Sequence, residues 1–92
     1  MSPSVPQHEL IDFPCHFEFK AFGPGDEDGR FCGKVQAAVS QVVPVSRQAM
    51  RVRPSSAGNY QCVSVLVTLQ NRAQLEAVYE ALRHIDDLKY LL

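Results

Sequence analysis

The sequence predicts an α+β fold: a two-layer sandwich in which a four-stranded antiparallel sheet carries two helices on one face. Three observations predict it. Segments 15–22 and 60–70 alternate apolar and polar residues with the two-residue period of half-buried strands. Segments 31–42 and 75–85 instead repeat apolar residues at helical spacing. Between these halves, Arg53-Pro54-Ser55-Ser56-Ala57-Gly58-Asn59-Tyr60 is the sharpest reversal signal in the chain. Pro54 lacks a ladder N–H, Gly58 and Asn59 tolerate positive φ, and the serines can bond nearby backbone.

Taken in order, residues 1–12 have two prolines, two serines and no periodicity, the composition of a flexible N-terminal segment ahead of a single domain over 13–92. Phe13-Pro14 leads the first strand, with Phe17, Phe19 and Ala21 on one face and His16, Glu18 and Lys20 on the other; Gly23-Pro24-Gly25 ends it. The first helix is expected from about Asp26, on a stripe of Phe31, Val35, Ala38, Val39 and Val42, and Pro44 closes it. Asp26, Glu27 and Asp28 place negative charge at its positive end, and Gly33 suits a close approach of helix to sheet. Residues 48–53 alternate as a second strand with a basic exposed face. After the hairpin, Tyr60 to Gln70 is the longest strand pattern and is placed centrally. Asn71 with Gln74 forms a capping signature for a helix carrying Leu75, Val78, Tyr79, Leu82 and Ile85, which Asp86-Asp87 breaks. Residues 88–92 then read as a last strand docked into the sheet.

The order strand, helix, strand, strand, helix, strand with right-handed crossovers is the ferredoxin-like βαββαβ sandwich. It requires Phe17, Phe19, Met50, Val52, Val63, Val65, Val67 and Leu69 to face the helices. His16, Glu18, Lys20, Arg51, Arg53, Cys62, Ser64, Leu66 and Thr68 then share the open face.

Composition narrows the function. Ninety-two residues suffice for one hydrophobic core, and a formal net charge of -1 supplies no global positive field for phosphate backbones, so no nucleic acid is expected as a partner. No apolar run approaches a membrane span and no signal-peptide pattern opens the chain, which predicts a cytoplasmic protein without membrane contact. Cys15, Cys32 and Cys62 fit neither a disulfide framework nor a C-x-x-C motif, and His8, His16 and His84 show no metal-ligand spacing. No metal and no cofactor is expected.

Phe13-Pro14, Phe17, Lys20 and Gly23, followed by Pro54-Ser55-Ser56 and Gly58-Asn59-Tyr60, resemble the signature of the YbeD-like family of small bacterial proteins over most of residues 12–92. The resemblance implies a fold similar to the ACT-type regulatory domains of amino-acid-responsive enzymes, without established catalytic activity. It also implies a link to lipoate attachment through gene neighbourhood, and a homodimer as the first partner to consider, paired edge to edge or sheet to sheet. The chain departs from the family pattern at residues 24–30, where the loop is longer.

Of the chemistries this fold supports, most lack their residues. Acyl-phosphate hydrolysis needs an N–H cradle, and the loop after the first strand carries three acids instead. RNA stacking needs aromatics on central strands, where only Tyr60 qualifies. What remains is a polar constellation of Arg51, Arg53, Ser55, Ser56 and Asn59, with Lys20 and Tyr60 beside it, able to present guanidinium, hydroxyl and amide donors to an anion or a peptide backbone. The plainer reading assigns the serines and Asn59 to the turn and the arginines to a solvated edge. The expected function is a non-enzymatic regulatory or interaction module binding a protein, such as a regulated enzyme, or a small metabolite. The alternatives are an enzyme or enzyme subunit acting on an acyl or phosphoryl compound, and a weak RNA-binding domain. Exposed Leu66 and the terminal Leu91-Leu92 add a self-association signal.

Overall fold

A computed structural model describes residues 12–92; the expectation for the first eleven residues lies outside the described region. The elements are β1 (Cys15–Pro24), α1 (Arg30–Ser40), a 3₁₀ turn (Arg47–Ala49), β2 (Met50–Pro54), β3 (Tyr60–Leu69), α2 (Arg72–Arg83) and β4 (Tyr90–Leu91). The sheet order is β2-β3-β1-β4 with every neighbour antiparallel, the ferredoxin-like arrangement. β3 is central, as its length predicts.

The alternation in β1 and β3 translates directly into register. Phe17 pairs with Val67, Phe19 with Val65 and Ala21 with Val63, so one face of the sheet is continuously apolar. Phe31, Val35, Ala38 and Val39 of α1 and Leu75, Val78 and Leu82 of α2 close over it, together with Val43 beyond α1. Each of the valine, leucine and phenylalanine side chains among these contributes roughly 1.5–3 kcal/mol by leaving water. Tyr79 meets Phe19 edge to face at 4.9 Å and Phe17 at 6.3 Å, tying α2 to β1.

Several boundaries differ from expectation, each for a local reason. α1 starts at Arg30, not Asp26, because Gly29 adopts a left-handed φ of 73° and Asp26 caps from outside the helix. It stops at Ser40, before Pro44, and α2 stops at Arg83, before the two aspartates. Residues 47–49 form the 3₁₀ turn instead of opening β2, since the Ser46 hydroxyl accepts the Gln48 N–H at 3.1 Å. Gly33 makes no close approach to the sheet: a Cβ there meets nothing within 4 Å. Gly23 is the close-approach glycine, with the Phe31 ring against the space its Cβ would fill. Val52 lies on the helix side in register with Val63, yet stays 49% exposed because the helices pack over β1 and β3 and leave the β2 edge uncovered.

Candidate functional site

The open face of the sheet is built by the other half of the same alternation. Lys20 pairs with Ser64 and Ser64 with Arg51, giving one row across β1, β3 and β2. In the next row Tyr90, Phe22, Cys62 and Arg53 stand side by side, and Tyr60 follows opposite Pro24. Tyr60, Leu66, Tyr90 and Leu92 are exposed by 57%, 49%, 60% and 51%. The Phe22 and Tyr90 rings lie 5.9 Å apart, tilted by 53°. Arg51 and Arg53 are exposed, and no ion pair engages either among the described residues. Lys20 approaches Glu18 at 3.9 Å in solvent, a pair worth little. Pro24, where β1 ends, lies roughly 13 Å further along the strand from Lys20.

The hairpin forms a second group at the end of the sheet. Ser55 serves the turn: its N–H donates to the Tyr60 carbonyl at 2.8 Å, and its Oγ accepts the Tyr60 N–H at 3.2 Å. Gly58 takes the left-handed φ of 76°, while Asn59 does not need one. Ser56 and Asn59 are exposed and no side-chain hydrogen bond occupies them among the described residues. Of the three polar turn residues, Ser55 is the one whose side chain bonds within the turn among the described residues.

What the sequence left unread is that the loop after β1 seats on this hairpin. The Gly25 N–H donates to the Asn59 carbonyl at 2.9 Å, so closely that a Cβ on Gly25 would stand 2.1 Å from the Gly58 oxygen. Gln61, a buried polar residue, donates from Nε2 to the Pro24 carbonyl at 2.7 Å. Asp26 accepts the N–H groups of Phe31 at 2.9 Å and Gly29 at 3.1 Å, and Asp28 accepts that of Arg30 at 3.1 Å. The Phe31 N–H is the main cause that holds the Asp26 carboxyl below its usual range, with Gln61, the Gly29 N–H and Arg30 assisting against desolvation. The protein's own carboxylates thus occupy the donors that an incoming phosphate would need.

Burial pushes the Cys32 thiol up, with Asp26 adding to the rise and Arg47 opposing it, so it is held protonated and poorly nucleophilic. All three thiols are free, and no cluster of three metal-ligating side chains occurs among the described residues. Nor is any helix among them long and apolar enough to cross a membrane. The aromatic pair Phe22 and Tyr90 escaped sequence reasoning: Phe22 sits just before the Gly-Pro-Gly stop, and the β4 register that brings Tyr90 beside it is not local information.

The comparisons agree with this geometry. The family described as protein of unknown function (DUF493) matches residues 8–92. A UPF0250 protein of Idiomarina loihiensis is 36% identical over 90 residues, spanning 91% of this chain and 92% of the relative. One from Sodalis glossinidius is 34% identical over 91 residues, spanning 92% and 94%. Among solved structures, the Helicobacter pylori protein HP0495 aligns with a TM-score of 0.65 at 12% identity, covering 99% of this chain and 98% of that one. The ACT domain from the GTP pyrophosphokinase of Chlorobium tepidum aligns at 0.62 and 10% identity, covering 84% and 94%. These two likenesses show the fold, ACT-like and ferredoxin-like, and the sequence relatives show the lineage: the chain belongs to the DUF493 family of UPF0250, or YbeD-like, proteins.

Proposed function

We propose that this protein is a non-catalytic interaction module that uses its open sheet face, together with the adjoining hairpin, to bind a protein partner or a small metabolite. One observation carries the reading. Among the described residues, the face opposite the helices carries exposed Tyr60, Leu66, Tyr90 and Leu92 together with the guanidiniums of Arg51 and Arg53, which no ion pair engages, and no element covers it. Exposed tyrosines and arginines interspersed with exposed leucines have the composition of a protein-binding surface. The ACT-like fold fits such a role, since the Chlorobium domain it resembles is part of a larger enzyme. A second copy of the chain is one candidate partner, and a lipoate-related enzyme, suggested by family resemblance alone, is another.

Ser56 and Asn59, whose side chains make no hydrogen bond among the described residues, favour a small anion or peptide group at the hairpin as the second ligand class. A thermal-shift screen against a metabolite panel, run beside sedimentation over a concentration range, tests both. Leu66→Ser and Tyr90→Ser should abolish face-dependent association, and Ser56→Ala with Asn59→Ala should abolish a metabolite-induced shift. Association and shifts that all four variants retain would refute the proposal.

A further inference from the structure

The β2 edge carries a more specific reading, which rests on the interaction-module proposal and names a partner chemistry for it. β2 is the outermost strand, and its outer side pairs with no other strand among the described residues. The register identifies which backbone groups face outward. Ser55 and Tyr60 are opposite each other and hydrogen-bonded, and in an antiparallel ladder bonded and non-bonded pairs alternate. The pairs Arg53–Cys62 and Arg51–Ser64 therefore direct their backbone inward, whereas Met50, Val52 and Pro54 direct theirs away from β3. The Met50 N–H is taken by the Arg47 carbonyl and Pro54 has none, so Val52 presents an outward N–H and C=O together. Its exposed side chain lies on the helix side, and Arg51 and Arg53 flank it on the open side.

We propose that β2 is a docking edge for an extended acidic peptide, which adds as a fifth strand centred on Val52 by two backbone hydrogen bonds. An apolar peptide residue opposite Val52 packs on the helix side, and its two acidic neighbours meet Arg51 and Arg53 on the open side. The expected recognition pattern is acidic, apolar, acidic. Charge decides against a second copy at this edge. Antiparallel self-pairing about Val52 sets Arg51 against the partner's Arg53, and like charges directly opposite destabilise a sheet pair. The same arginines that deter self-pairing select an acidic strand, so edge protection and recognition are a single device.

The test titrates the ¹⁵N-labelled full chain with a synthetic peptide of alternating glutamate and valine. The Val52 amide should exchange freely beforehand, then shift most and become protected on binding. Affinity should fall with salt, and by roughly two- to fivefold for each of Arg51→Ala and Arg53→Ala, as for exposed charge pairs. The double change Arg51→Glu with Arg53→Glu, at solvent-exposed positions, should transfer preference to a lysine–valine peptide. Peptide shifts confined to the amides of Phe22, Leu66 and Tyr90 would overturn the edge proposal while leaving the open-face reading intact. So would a Val52 amide already protected in the free chain, or arginine-dependent binding of oligouridine in place of the acidic peptide. No shift at millimolar peptide would likewise overturn it.

Discussion

At the scale of single residues, Asp26 determines how the first loop meets α1. It lies four positions ahead of the helix, yet its carboxylate satisfies the N–H groups of Gly29 and Phe31. Its folded pKa is below the unfolded value, so its contribution to stability is fully present above the ordinary carboxylate range and is lost as pH falls through the folded value. Asp26→Ala should accordingly melt below the wild type at neutral pH, and the gap should close in acid; melting curves across a pH series check both. Two glycines give opposite expectations. Gly33→Ala in α1 adds a Cβ into open space and should stabilise by about 1 kcal/mol in denaturant titration, since Ala is the better helix former. Gly25→Ala drives a Cβ into the Gly58 carbonyl and should cost about 1–3 kcal/mol.

Among the elements, α2 was readable almost to its ends because its signals are local. Asn71 accepts the Gln74 N–H at 2.9 Å, as its capping signature predicts. The reciprocal bond departs slightly from that signature, with Gln74 Oε1 accepting the N–H of Gln70 at 2.7 Å, one residue before the cap. Asn71→Ala should lower stability by about 1 kcal/mol in chemical denaturation, with no change in the open face. The strands were equally legible where one face is buried, because a one-residue slip of β1 against β3 would expose the entire row of Phe17, Phe19 and Ala21. The start of β2 and the limits of α1 were not, since Ser46 and Gly29 act through backbone geometry that periodicity does not encode.

On the scale of the whole molecule, the helices close a core over one side of the sheet, and nothing among the described residues covers the other side. Changes on the uncovered side should separate stability from binding. Leu66→Ser, at an exposed position, should alter unfolding free energy by no more than about 0.5 kcal/mol while removing partner association. Phe31→Ala, fully buried under Gly23, should cost about 3–5 kcal/mol. Denaturant titration and sedimentation of the same two variants make the comparison.

The sequence alone determined the βαββαβ order, the division of residues between core and open face, and the position of the hairpin. Each of these follows from residue type at short period, where burial and turn geometry act within a few positions. Arg51, Arg53 and Tyr60 were visible as candidates for the same reason. Only the tertiary structure decided that the Phe22 and Tyr90 rings meet on the open face and that Gln61 and Gly25 fasten the first loop to the hairpin. These are contacts between residues 34 to 68 positions apart in the chain, made by strand register and loop packing, and no local pattern in the sequence specifies them.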